Sequence, residues 1–303
     1  MVSERTSAIL LCTAYLSKEL GTAVKPLSAA EWSTFGAWLV SKSLLPEDLL
    51  AGPADHLASW EHDTITRERL STLLERKASL AISLDKWTKA GIWVLNRSEA
   101  AYPQSIKEKL KSLAPPVLFG IGNPQLLNHK YVGILGSRDA GESDMTVTSG
   151  VAARIVSQQY GIVSGGAAGI DDFAMMAGLQ AGGECIAILG DSLLKRSTSS
   201  LLRKYIINQK LALISPYNPE AIFSVGSAMG RNKLIYCLSK FTIVVKSGVK
   251  GGTWSGAIEN IARAWVPLYI VRASEAGNQQ LHKLGAGWLP EDFSVEELMG
   301  AKQ

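Results

Sequence analysis

Residues 160–190 read YGIVSGGAAGIDDFAMMAGLQAGGECIAILG. The order is strand, glycine turn, helix, strand. Gly161-Ile162-Val163-Ser164 is a short β-branched apolar run, the kind that suits a strand covered on both faces. Gly165-Gly166-Ala167-Ala168-Gly169 then offers three positions where the backbone can turn left-handed or approach a ligand closely. Helical spacing begins at once, with Ile170, Phe173, Ala174, Ala177 and Ala181 on the predicted inner face. Asp171 and Asp172 fall in the first turn, where negative charge meets the helix dipole favourably. Gly182-Gly183 ends the helix, and Cys185–Leu189 is the next buried strand. The stretch is a βαβ unit whose glycine turn opens a helix N-terminus, a place suited to phosphate.

Working outward, the same pattern recurs on both sides. Tyr131-Val132-Gly133-Ile134-Leu135 reads as a buried strand, broken by Gly136-Ser137-Arg138 and followed by a helix from about Ser143 to Tyr160. Further strands are expected at Ala212–Ile214, Phe241–Val245 and Pro267–Val271. Between the last two, Gly251-Gly252-Thr253-Trp254-Ser255-Gly256 is a third glycine turn, opening a helix from Ala257 to Trp265. In an open parallel sheet such turns share the carboxyl edge, where these folds bind ligands. Gly91–Leu95 and the proline-led Pro115–Gly120 read as additional extended segments. Residues 87–303 are thus expected to form one doubly wound α/β domain with a mainly parallel sheet. Residues 1–86 read as a small all-helical domain, with helices from Ser7 to Leu20, Ser28 to Lys42 and Thr66 to Lys86, and a short one at Pro46.

Composition narrows the function. The 303 residues are 47% apolar with a net charge of +4, enough to bury one large core. Between Lys195 and Lys250 lie ten basic residues and a single acid, Glu220, a local charge of +9 that favours a polyanionic partner. Cys12, Cys185 and Cys237 sit far apart in apolar surroundings, which points to buried thiols in a reducing cytoplasm rather than disulfides or a metal site. No apolar stretch reaches membrane-spanning length, and no signal-peptide pattern opens the chain. Neither a metal-ligand spacing nor a nucleophile–base pair stands out, so no cofactor and no catalytic residue is expected. Gly136-Ser137-Arg138 breaks the G-x-G-x-x-G dinucleotide pattern, and no ribose-binding acid follows the second strand.

From about Lys89 onward the sequence resembles the DNA-processing protein A (DprA, or Smf) family. Tyr102-Pro103 and Pro115–Phe119 are similar to its lead-in, Gly136-Ser137-Arg138 to its G-S-R turn, and Val163–Asp171 to its V-S-G-L-A-x-G-I-D signature. Gly230-Arg231-Asn232-Lys233-Leu234-Ile235 resembles its R-N-R-I-I segment, and Gly277-Asn278 and Gly285-Ala286 its closing elements. The resemblance implies a homodimeric protein that binds single-stranded DNA and loads a RecA-type recombinase in natural transformation. It also implies phosphate contacts from Arg138 and Arg231, with Asn232 and Lys233 beside them. Backbone donors would come from the turns holding Gly136, Ser137, Ser164, Gly165, Gly166, Gly169, Gly251, Gly252 and Thr253.

Two simpler roles compete for the arginines: Arg138 could ion-pair with Asp171 or Asp172, and Arg231 could stand in water at a helix start. The sequence also departs from the family pattern. Met175 and Met176 occupy the region of a family histidine, Lys246 replaces an acid, and Gly251-Gly252-Thr253 replaces an S-G-S turn. These departures leave room for a defence or toxin–antitoxin role with its own protein partner. The rival class is a nucleotide-binding or lonely-guy-type phosphoribohydrolase, whose P-G-G-x-G-T-x-x-E motif Gly251-Gly252-Thr253 resembles. Glu259 lies six residues past Thr253 rather than three, however, one helical turn out of place.

Overall fold

The computed structural model describes residues 2–16, 24–273 and 275–300. Among them, nine strands form one sheet: β1 Trp93–Asn96, β2 Val117–Ile121, β3 Tyr131–Leu135, β4 Gly161–Ser164, β5 Cys185–Ile188, β6 Leu211–Ser215, β7 Ser239–Val244, β8 Leu268–Ile270 and β9 Gly287–Trp288. Their order is β1-β2-β6-β5-β4-β3-β7-β8-β9. The two pairings that involve β2 are antiparallel, and the other six are parallel.

Helices cover both faces, so the central strands must be apolar throughout. In β3, Val132 and Ile134 enter one buried cluster with Val151, Ile155, Ile170 and Met175, while Tyr131 and Leu135 enter another with Leu234, Ile235, Tyr236 and Ala257. The first cluster continues without a break into the N-terminal helices through Leu10, Phe35, Leu74 and Trp87, and the Trp87 ring meets Phe119 edge-on at 5.1 Å. Ser28 caps the helix Ala29–Ser41 in a reciprocal box with Glu31, turning Trp32, Phe35 and Leu39 inward.

Three local expectations change. The segment expected as one helix from Thr66 to Lys86 is two, Arg67–Leu74 and Lys77–Lys89. The break falls at Arg76, whose guanidinium turns back to the carbonyls of Leu11 and Ala14. In the helix Ile170–Gln180 the inner face is Ile170, Ala174, Met175, Gly178 and Leu179, because Phe173 and Ala177 lie half-exposed at its flank. The first helix spans Glu4–Thr13, and its expected end at Leu20 falls outside the described residues.

Strand β3 lies between β4 and β7, and the chain order reverses there. In a doubly wound sheet this switch point opens a crevice at the carboxyl ends of the two diverging strands. The turns that follow β3 and β7 therefore face each other across it.

Candidate functional site

A cleft of about 300 Å³ occupies this crevice. Gly136, Ser137 and Arg138 line it from the turn after β3, and Lys250, Gly251, Gly252 and Thr253 from the loop after β7. Arg231 and Asn232 enter from the helix Val225–Leu238. Hydrogen bonds tie these segments to one another and to the helix Ile170–Gln180. The Thr253 hydroxyl donates to the Gly136 carbonyl at 2.9 Å, Asn232 Nδ2 to the Gly252 carbonyl at 3.1 Å, and the Gly136 N–H to Asp171 Oδ1 at 3.1 Å.

Arg231 is the centre of the site. It sits in the middle of its helix and is 4% exposed, so a role as a solvated residue at a helix start is excluded. Its Nη2 lies 3.5 Å from Asp171 Oδ2. Burial raises the Asp171 pKa against the pull of Arg231, and burial lowers that of Arg231. Nε and Nη1 of Arg231 find no acceptor among the described residues. Buried donors left this way cost about 1–3 kcal/mol each.

Arg138 is exposed and makes no ion pair among the described residues, so neither acid of the helix Ile170–Gln180 is its partner. Asp171 belongs to Arg231, and Asp172 to Arg196 at 2.8 Å. The Arg138 guanidinium instead lies over the Phe223 ring, 4.8 Å from its centroid.

The second glycine turn takes little part in lining the cleft. Only Ala167 and Asp171 reach the lining from this region. Ser164 is wholly buried and donates to the Ile134 carbonyl at 2.7 Å. A Cβ at Gly165 would overlap both Arg231 Nη1 and Asp171 Oδ2, so glycine there makes room for the buried pair. The Gly166 carbonyl accepts from Arg196 at 3.0 Å. Gly169, at φ 89°, packs against the first turn, where a Cβ would come within 2.5 Å of the Ser137 carbonyl oxygen.

Lys233 lies outside the cleft, 3.9 Å from Glu259, and borders a separate groove beside the N-terminal helices. The basic run is likewise dispersed. Arg196, Lys210, Arg231, Lys233 and Lys246 each face a carboxylate, and only Arg231 and Lys250 of the ten line the cleft. Lys246, which stands where the family has an acid, bonds to Asp144 at 2.9 Å. No cluster of three potential metal-binding side chains occurs among the described residues, and none of their helices is long and apolar enough to cross a membrane.

The model for the family of DNA recombination-mediator protein A matches residues 93–299. The chain belongs to this family. Relatives include a DNA processing protein DprA of Bacillus subtilis, 27% identical over 273 residues that cover 85% of this chain and 91% of that protein. The DprA of Streptococcus pneumoniae is 34% identical over 154 residues, covering 50% of this chain and 53% of that protein. A DprA-named protein of Mycobacterium tuberculosis is 27% identical over 197 residues, 62% of this chain and 50% of that one. The chain thus spans about half the length of the last two relatives. The fold matches the structure of S. pneumoniae DprA with a TM-score of 0.69 over 95% of both chains at 20% identity. It also matches Helicobacter pylori DprA, described for its single-stranded DNA binding mode, with a TM-score of 0.56 at 26% identity over 69% of this chain and 94% of that one.

Within this family member, sequence reasoning missed the apolar side of the cleft. Phe223, Val225, Ala228 and Met229 also line it. The one signal available was Phe223 and Val225 in a polar, proline-containing stretch where a buried strand was not expected.

Proposed function

We propose that the cleft between the ends of β3 and β7 binds the phosphate backbone of single-stranded DNA, and that the protein acts in DNA processing and recombination. The observation that carries the reading is Arg231: a buried guanidinium with two unpartnered N–H groups at a cleft whose rim holds two more cations, Arg138 and Lys250. An arginine fork bonds phosphate oxygens bidentately, and the N–H groups of the glycine turns are suited to add donors. Such contacts read charge and spacing but not bases, so little sequence dependence is expected. The family's role supports recombination mediation, with a RecA-type recombinase as partner and a homodimer as the acting form. A place in natural transformation or in a defence locus would use the same binding step.

The phosphoribohydrolase alternative needs a carboxylate free to act in the cleft. Asp171 is the carboxylate lining it among the described residues, and Arg231 holds it. Glu259 is turned toward Lys233. This arrangement favours binding over hydrolysis.

Fluorescence anisotropy with single strands, duplexes and mononucleotides tests the reading. Single strands should bind best, with affinity falling steeply as salt rises through counterion release. Equal affinity for duplex, a flat salt response, or release of free base from a nucleoside monophosphate would count against it.

A further inference from the structure

The groove that Lys233 borders has a volume of about 1250 Å³ and runs between the N-terminal helices and the sheet domain. Its lining includes Leu27, Phe119 and Leu234, all buried, and Tyr15, Ile82, Leu113 and Ile222, which stand 47–69% exposed. Large apolar side chains left in water around an apolar floor mark a contact surface. The helix Val225–Leu238 separates this groove from the phosphate cleft. It presents Arg231 and Asn232 to the cleft, Lys233 and Leu234 to the groove.

We propose that this groove docks an acidic amphipathic helix of a partner protein. Size argues first: the groove exceeds the roughly 300–1,000 Å³ of a small-molecule pocket, and a small molecule in it would leave the exposed apolar rim in water. Backbone pairing argues second. An extended segment adds to a sheet through a free strand edge, but the strand in the lining, β2, is bonded to β1 on one side and β6 on the other. A helix satisfies its own backbone and needs only an apolar stripe to lay into the groove. Charge argues third. Glu220, the carboxylate of the lining among the described residues, is already held by Lys86, and Lys233 faces Glu259 at 3.9 Å. Lys25 and Lys111 are exposed, two residues along the chain from Leu27 and Leu113, and make no ion pair among the described residues. The uncompensated charge beside the groove is therefore positive, and it complements acids flanking the stripe.

A phage-displayed library of helix-forming peptides tests this, selected on the full chain and counter-selected on its Leu113→Glu variant. The peptides that survive should carry apolar residues at i, i+4 and i+7 with Asp or Glu between them. A labelled survivor should gain helical circular dichroism on binding and lose affinity as salt rises. Ile82→Glu and Leu113→Glu should each weaken it by roughly tenfold or more. Leu201→Glu, exposed on the helix Ser200–Ile207, should leave it unchanged. All three substituted side chains are exposed, so circular dichroism should show one fold throughout. Single-strand binding should persist in Leu113→Glu, so this inference and the phosphate reading fail separately. Survivors that are basic or proline-rich, or no survivors that depend on the groove, would overturn the inference. So would a light-scattering mass that falls on Leu113→Glu, which would assign the groove to a second copy of this chain.

Discussion

Arg231 and Asp171 face each other at 3.5 Å with their side chains 5% and 8% exposed. The pair joins the helix Val225–Leu238 to the helix Ile170–Gln180 beneath the cleft. Removing one partner leaves a buried charge alone, which typically costs about 3–5 kcal/mol. Arg231→Ala and Asp171→Asn should therefore each lower the denaturation midpoint sharply, even before DNA is added. Gly165→Ala should do the same by pushing the pair apart. Stability of these variants close to wild type in urea titration would show that the ion pair is not structural.

Arg138 should behave differently. It is exposed with its guanidinium over the Phe223 face, so Arg138→Ala should leave thermal stability within about 0.5 kcal/mol of wild type. Losing a charge-assisted phosphate contact should still weaken single-strand binding by roughly ten- to a hundredfold. Anisotropy titrations at two salt concentrations check this, because the lost contact should also flatten the salt slope.

The backbone at Gly169 takes φ 89° and presses on the first turn. Gly169→Ala should destabilise by about 1–3 kcal/mol through strain and displacement of Ser137. Weakened DNA binding should accompany that loss, since Arg138 follows Ser137 directly. A variant with full stability and full affinity would refute the coupling between the two turns.

The contrast among these residues shows what the sequence could and could not carry. Strands β3, β4 and β5 were legible because each is a short apolar run buried on both faces, a property of the run alone. Gly136 and Gly251–Thr253 were legible as turns at the carboxyl edge of the sheet because glycine after a strand marks a close approach, and they line the cleft. The burial of Arg231 was not legible. It depends on Asp171 and on the missing side chain at Gly165, which the fold brings together from distant segments. The helix break at Arg76 was hidden for the same reason, since the carbonyls that turn the guanidinium aside belong to Leu11 and Ala14. The family resemblance placed Lys233 beside Arg231, but a helix turns neighbouring residues to different faces, and Lys233 reaches Glu259 instead.

Acid sensitivity should originate in part at Glu31. Its bonds to Arg69, with those of the Ser28 cap, hold its pKa down at about 2. A carboxyl whose folded pKa is depressed adds stability that is complete above its unfolded pKa and lost as pH falls toward the folded value. That contribution should fade between about pH 4.3 and pH 2. Glu31→Gln should be less stable than wild type at neutral pH and converge with it in acid. Denaturation curves collected across this range test the convergence.

Cys12, Cys185 and Cys237 are wholly buried, and burial pushes each thiol up to about 12. Thiolate is the reactive form, so none of the three should react with a thiol-specific disulfide reagent at neutral pH in the native state. All three should titrate once the chain is unfolded in guanidinium. Rapid labelling of the native protein would reveal an opening that exposes one of them.

The hydroxyl of Thr253, bonded to the Gly136 carbonyl, latches the loop after β7 to the turn after β3. The donors of the cleft are thereby held in register by the protein itself, and the entropy of ordering them is spent during folding. A strand that arrives meets a frame requiring no rearrangement. Its association should follow a single kinetic phase, with a rate proportional to concentration and governed by electrostatic encounter. With the latch cut, as in Thr253→Val, a slower step independent of concentration should emerge, the time the two loops take to find each other.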